Sequence, residues 1–143
     1  MKKFFRKTVQ EIIEQDKLSQ VLVLVSFLLT FFVVRLITHL QKANIIPQQQ
    51  GVFHLHHLVP GIFLILISGY IGVSYLSNET LRKITAVLFG IGAALTLDEF
   101  ALWLFLKDVY WSKQGRDSVD AAVIVVVLLT FALLIREVKE KKK

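Results

Sequence analysis

The sequence predicts an all-α fold: a four-helix transmembrane bundle preceded by an amphipathic interfacial helix. At 143 residues and 55% hydrophobic, the chain is more apolar than a typical water-soluble domain. Four segments approach the roughly 20 apolar residues that a membrane span needs. Together they occupy more than half of the chain and leave little for a separate soluble domain. We therefore expect residues 1–143 to form a single integral membrane domain.

The segment before the first apolar run has the pattern of an amphipathic helix. Its apolar residues recur at helical spacing and its charged residues lie off that face: the apolar set is Phe4, Phe5, Val9, Ile12 and Ile13. This pattern is typical of a helix lying in the membrane interface, although a solvated basic tail is the alternative. No small-residue cleavage site follows the apolar run, which predicts an uncleaved first span rather than a signal peptide.

The spans are predicted from apolar runs and from the polar turns between them. They cover about residues 19–40, 55–76, 82–106 and 118–136. We expect the second helix to start at Pro60, because a missing N–H is tolerated in a first helical turn, and His54–His57 to precede it in irregular backbone. A kinked helix starting near His54 is the alternative. Asn78 precedes the third helix and is placed to cap it.

The distribution of charge predicts the topology and the partners. The basic residues are concentrated at both chain ends and in the Arg82-Lys83 turn, which the positive-inside rule places in the cytoplasm. The protein is then a multi-pass protein of the cell inner (plasma) membrane, with both termini cytoplasmic. Its partners are the lipid bilayer and anionic lipids of the cytoplasmic face. A homo-oligomer or a membrane-protein partner stays open, whereas the absence of a basic folded face argues against nucleic-acid binding.

Polar residues that are costly inside a membrane gather in the outer half of the bundle, near the extracytoplasmic face. Ionisable side chains within spans generally have a partner or a function. The inner half, on the side of the Arg82-Lys83 turn, is nearly pure Leu, Val, Ile and Phe. The polar set consists of three histidines, two acids and one arginine: His54, His56, His57, Asp98, Glu99 and Arg35.

The first interpretation of this set is a metal-dependent membrane enzyme. Imidazoles and carboxylates bind zinc, iron or manganese, and the expected ligands are His54, His56, His57 and Asp98. The chain has no cysteine, so thiolate ligands are excluded. A bound metal lowers the pKa of its water to about 7 and makes it a nucleophile. That chemistry predicts a hydrolase acting on a lipid-linked or envelope substrate.

The same hypothesis assigns catalytic and substrate-binding roles. Glu99 is the expected general base, with Asp98 also counted as catalytic. Arg35 and Arg116 are expected to hold an anionic group such as phosphate. Trp103 and Tyr110 are expected to line the substrate site, although Tyr110 also stands where an interfacial aromatic belt would place it.

Two interpretations without a metal stay open. In one, the protein is a non-enzymatic membrane subunit: Arg35 pairs with Asp98 or Glu99, histidines hydrogen-bond around the pair, and the cluster holds the helices together or docks a partner. In the other, the histidines and acids form a proton relay for proton-coupled transport or pH sensing. A through-path of that kind would need polar residues in the other half of the bundle as well.

Four short stretches have a joint pattern that supports the predicted fold. They are HLHHLVPG at 54–61, LDEFALWL at 97–104, DVYW at 108–111 and GRDSVDA at 115–121. Through them, residues 51–121 resemble an uncharacterised family of small bacterial integral membrane proteins. The resemblance implies a four-span membrane protein and implies no activity, so the metal-ligand assignment comes from the chemistry of the residues alone.

Overall fold

The computed structural model describes residues 2–47, 56–74, 78–107 and 109–141, with side chains described between residues 17 and 136. All regular structure in these ranges is helical, which confirms the all-α prediction. The helices are α1 (Lys2–Lys42), α2 (Leu58–Ser74), α3 (Glu79–Asp98), α4 (Phe100–Phe105) and α5 (Arg116–Lys141), with a 3-10 turn at Lys113–Gly115.

The N-terminal segment and the first apolar segment form one helix. α1 runs without interruption from Lys2 to Lys42, so the interfacial helix predicted over residues 1–17 is helical from residue 2 but is not a separate element. The physical reason is that residues 1–42 contain neither proline nor glycine, the residues that interrupt helices most readily. An in-plane position for residues 2–17 stays a prediction.

α2 begins at Leu58, two positions before the predicted start at Pro60, and carries Pro60 in its first turn. His56 and His57 therefore precede the helix, in backbone that is not helical. The carbonyl oxygen of His57 accepts a hydrogen bond from the N–H that follows Pro60, 3.0 Å away. The limits predicted for this span, residues 55 and 76, lie outside the described residues.

α3 begins three positions earlier than its predicted start at residue 82. Asn78 caps it as predicted, because its side-chain oxygen accepts the N–H of Leu81 at 3.0 Å. This bond satisfies one of the N–H groups that the first helical turn leaves unpaired. The helix therefore starts at Glu79.

The segment predicted as the third span, residues 82–106, does not form one continuous helix. A single helix over 82–106 was expected, but the backbone leaves the helical region at Glu99, with φ −106° and ψ 22°, and the short α4 follows. The N–H of Ala101 donates to the Ser118 hydroxyl at 3.0 Å instead of continuing the helical ladder. The Glu99 carboxylate meanwhile accepts the N–H of Leu58 at 2.9 Å. Contacts with other elements thus draw the chain out of the helix at this point.

α3 lies between α1 and α2, parallel to α1 and antiparallel to α2. A Cβ atom at Gly90 would lie 2.5 Å from the carbonyl oxygen of Val23, and one at Gly92 would lie 2.8 Å from that of Gly61. Both helix crossings therefore require glycine. Small residues let membrane helices approach closely, and such approach supplies van der Waals contact that lipid does not provide.

α5 packs against the other helices near its own N-terminal end. The buried hydrophobic core consists of Phe27 of α1, Ala94 of α3 and Ala122 of α5, with Val125 and Val126 packed against it. Beyond Val126, most large apolar side chains of α5 are exposed. α5 is therefore held mainly at the end where Asp98 lies and is loosely covered along the rest of its length.

The exterior of the bundle is apolar. Residues Lys17–Lys42, Glu79–Asp98 and Lys113–Arg136 form three helices long and apolar enough to cross a membrane, and α2 is an apolar helix of 17 residues. Exposed Leu, Val, Ile and Phe side chains cover all four. A continuous apolar exterior of this extent suits contact with lipid and not with water. The helices thus indicate a multi-pass membrane protein.

Candidate functional site

Asp98 is the centre of a buried polar cluster at one end of the bundle. It is the last residue of α3, and its side chain is 0% exposed. Arg35 of α1 places Nε 2.5 Å from Oδ1, as an ion pair without hydrogen-bond alignment. Its Nη2 donates to the Asp98 carbonyl oxygen at 3.2 Å. His57 Nε2 lies 2.8 Å from Oδ2, and the Tyr110 hydroxyl donates to the same oxygen at 3.0 Å. These partners offset the high cost of burying a carboxylate.

Glu99 is the second carboxylate of the cluster and is directed at the beginning of α2. Its Oε2 accepts the N–H of Leu58, the first residue of that helix, at 2.9 Å. Its Oε1 lies 2.8 Å from His56 Nδ1 and 3.7 Å from His57 Nδ1. A negative charge at a helix N-terminus interacts favourably with unpaired N–H groups and with the helix dipole. Glu99 therefore caps α2 from a different part of the chain.

Tyr110, in the loop before α5, covers the Arg35 side chain. The guanidinium lies 4.5 Å from the centre of the Tyr110 ring, which is within the range of a cation–π interaction. The Tyr110 and Thr38 hydroxyls are 3.0 Å apart. Burial, and then the neighbouring Asp98 carboxylate, raise the pKa of Tyr110 because both disfavour tyrosinate. Tyr110 is accordingly a neutral hydrogen-bond donor to the cluster.

Trp111 connects the same loop to the C-terminal end of α1 through side-chain contacts. Its ring meets the edge of His39 at 5.2 Å between centroids, and the Lys42 ammonium lies 4.2 Å above it. Gly115 closes the loop, since a Cβ there would overlap the carbonyl oxygen of Tyr110. The loop is thus held over Arg35 by aromatic contacts.

The structure brings together six of the predicted site residues: Arg35, His56, His57, Asp98, Glu99 and Tyr110. The other three are placed differently. Trp103 lies on α4 and is about half exposed. The side chain of Arg116 is 82% exposed and lies 3.8 Å from Asp120. His54 lies outside the described residues.

The described residues do not support the predicted metal site. The parts of the chain that the structure describes contain no group of three or more histidine, aspartate or glutamate side chains that could hold a metal ion. The reason is direction: His57 and Asp98 face each other at 2.8 Å, as do His56 and Glu99. These contacts pair one nitrogen of each histidine with one carboxylate oxygen, whereas metal ligands would converge on a single point at about 2.0–2.2 Å each. Because His54 is not described, the four-ligand set stays a prediction.

Two residues that complete the site, Thr38 and Lys42, were missed from sequence. They follow Arg35 by three and seven positions, which places them on one face of α1 together with His39. That spacing was available as a signal. The cap that Glu99 provides for Leu58 was not, because a carboxylate that binds a distant backbone N–H leaves no pattern in the sequence.

Neither a protein-family model nor a curated protein nor a solved structure matches this chain. The resemblance carried by residues 51–121 therefore stays a prediction. What the site can do has to be inferred from its geometry: the cluster joins elements that are distant in sequence, and its charged atoms are directed at one another.

Proposed function

We propose that the protein is a non-enzymatic subunit of the inner membrane whose buried cluster fastens four membrane-crossing helices together at their extracytoplasmic ends. One observation carries the proposal. The Asp98 side chain alone contacts Arg35 of α1, His57 at the start of α2, and Tyr110 in the loop that leads into α5. A single residue of α3 is thus bonded to every other long helix or to its flank.

The helix directions support alternating crossings of the membrane. α1 and α3 run one way and α2 the other, which is the arrangement of alternating spans. In this proposal α2 is the shortest span, about 25 Å long at 1.5 Å per residue. The basic residues Arg82, Lys83 and Arg136 then lie on the cytoplasmic side with both termini, where they contact anionic lipids.

A polar clamp has a clear physical purpose in such a bundle. Lipid gives helices no hydrophobic reason to associate, and the apolar core here is small. α1 and α2 both pack on α3 but do not contact each other within the described residues. A buried ion pair resists separation strongly, because removing one partner costs about 3–5 kcal/mol. The cluster therefore fixes the three helices in one arrangement.

Proton transport is less well supported by the described contacts. A through-path needs polar groups in the cytoplasmic half that bond to one another. The hydroxyls there bond instead to carbonyl oxygens of their own helices: Ser26 to Leu22, Ser68 to Leu64 and Thr85 to Leu81. Such bonds satisfy each hydroxyl locally, and none of these three bonds leads from one hydroxyl to another.

Metal analysis combined with thermal unfolding tests the proposal on detergent-purified protein. Wild type is compared with Asp98→Asn and with Asp120→Asn, the same substitution at an exposed site of α5. We expect wild type without stoichiometric metal, a large loss of stability in Asp98→Asn and little change in Asp120→Asn. Stoichiometric zinc, iron or manganese that is lost in a folded Asp98→Asn variant would instead support the metal-dependent hydrolase.

A further inference from the structure

α4 and the residue after it present an apolar surface that the bundle does not cover. One side of α4 is anchored, because Ala101 is buried and donates its N–H to Ser118 at the start of α5. The four residues after Leu102 are exposed. We define the α4 patch as their large apolar side chains, with exposed fractions in brackets: Trp103 (46%), Leu104 (56%), Phe105 (38%) and Leu106 (87%).

The depth of the α4 patch follows from the polar residues that bracket the long helices. Arg82 and Asp98 on α3 are 16 positions apart, which corresponds to about 24 Å. Lys17 and Arg35 on α1 are 18 positions apart, or about 27 Å. These lengths already approach the roughly 30 Å of a hydrocarbon core. Asp98 therefore lies close to the outer boundary of that core, and α4 begins there.

We propose that α4 lies in the plane of the outer interface and that the α4 patch inserts into the lipid of the outer leaflet. This inference rests on the membrane embedding in the proposed function. Tryptophan favours this depth because its ring is amphipathic. Lys107 follows the patch directly and is exposed, so its ammonium can reach the headgroups while its stem stays on apolar surface.

Two features of the chain keep α4 at the boundary. The break at Glu99 ends α3, so α4 is a separate short helix. Leu106 adopts a left-handed conformation, with φ 52°, and ends the helix, so the chain turns back towards Tyr110 instead of continuing outwards. On α5, Val119 and Val123 follow the anchor at Ser118 by one and five positions and are exposed, so the first turns of that helix also present apolar surface.

A lipid surface fits the α4 patch better than a second copy of the chain. A stable protein interface buries about 800 Å² on each partner, and four partly covered side chains on a six-residue helix offer less. An interfacial helix needs no such area, because it buries its apolar face about 5–10 Å into the leaflet. The α4 patch then holds the adjoining loop, and with it Tyr110, at a fixed height in the membrane.

Spin labels on single cysteines test the inference in the full chain, which has no cysteine of its own. Leu106→Cys reports on the patch, Leu128→Cys on the middle of α5, and Lys113→Cys on the exposed 3-10 turn. Collisions with oxygen and with a water-soluble nickel chelate are measured in proteoliposomes. We expect Lys113→Cys in water, Leu128→Cys deep in lipid, and Leu106→Cys about 5–10 Å below the headgroups. A label at Leu104→Cys, a second position in the patch, should report the same depth.

Each other outcome overturns the inference and is distinguishable. A Leu106→Cys label as accessible to nickel as that of Lys113→Cys would place α4 in water. A label as deep as that of Leu128→Cys would mean that α4 continues the span of α3. Protection from both reagents would mean that protein, such as a second copy, covers the patch. Only a nickel-accessible Leu128→Cys label would also overturn the proposed membrane embedding, because that position does not belong to the patch.

Discussion

The two ends of the bundle are bonded in different ways. At the end where α3 finishes, Asp98 and Glu99 contact residues more than ten positions away in sequence. At the other end, the described ion pair of Lys83 with Glu79 joins neighbours on one helix, and the nearby Thr85 hydroxyl bonds to its own helix. Polar bonds thus define tertiary structure at one end and local helix structure at the other. The effect of a substitution should depend on which end it touches.

The largest effect is expected from separating Arg35 and Asp98. Arg35→Met and Asp98→Asn should each destabilise the protein by about 3–5 kcal/mol, since each leaves a buried partner uncompensated. The double variant should lose less than the sum of the single losses, because the two residues interact directly. Denaturant unfolding in detergent micelles measures this cycle. Additive losses would show that the two side chains do not form a coupled pair.

A matched glutamate pair compares the two ends directly. Glu99→Gln should cost about 2–3 kcal/mol, because a buried carboxylate that bonds to His56 and to the Leu58 N–H loses its charge. Glu79→Gln should cost less than about 1 kcal/mol, because its pair with Lys83 is exposed. The same unfolding experiment reports both values. Equal losses would remove the proposed difference between the ends.

A matched pair of glycine substitutions measures how much the close approach of two helices, between the ends of the bundle, contributes to stability. Gly90→Ala should cost about 1–2 kcal/mol, since its Cβ would overlap Ser26 and force α1 and α3 apart. Gly69→Ala on α2 meets no atom within 4 Å, so it should stabilise by about 0.5–1 kcal/mol through better helix propensity. Thermal unfolding of the two variants distinguishes them by sign. A neutral Gly90→Ala would mean that the cluster alone sets the spacing.

Among the residues of the cluster, the smallest effect is expected at Tyr110. Tyr110→Phe should cost about 1 kcal/mol for the lost hydrogen bond to Asp98. Because burial and then the Asp98 charge raise the pKa of Tyr110, the folded state holds the phenolic proton more tightly than the unfolded state does. This stabilisation is complete below about pH 10, the ordinary tyrosine range, and is lost as the pH rises further.

Tyrosinate absorbance checks the direction of that pKa shift. The difference between wild type and Tyr110→Phe should appear only above about pH 10 while the protein is folded. It should move down to the ordinary range after unfolding. A difference that already appears at lower pH in the folded protein would contradict the buried, hydrogen-bonded position of Tyr110.

Several of these contacts could be anticipated from sequence. An arginine and an acid within apolar segments each need a partner, and Arg35 and Asp98 are indeed paired. Pro60 and Asn78 marked helix starts, because one lacks an N–H and the other has a side chain that caps. The long apolar helices follow from composition. These signals are local or follow from the cost of burying charge, so they can be recognised in the sequence without knowledge of how the helices pack.

The remaining features depend on atoms that sequence does not orient. Histidines beside acids predict a ligand set and a hydrogen-bonded cluster equally well, because the sequence does not give the direction of the ring nitrogens. The break at Glu99 arises because Leu58 and Ser118, both distant in sequence, bond to this segment. The continuous α1 was missed for a simpler reason, since a change of composition near residue 17 does not end a helix.

The cap that Glu99 places on α2 has a consequence for biogenesis. Leu58 is synthesised 41 residues before the side chain that accepts its N–H. During translation α2 therefore emerges with its first turn unfinished, and water has to satisfy that group until α3 has followed. The pair α2–α3 is completed only as a hairpin, whose Glu99 end is synthesised last. Maturation of this protein should accordingly lag behind insertion of its second helix, and a chain truncated before Glu99 should leave α2 susceptible to quality-control proteolysis.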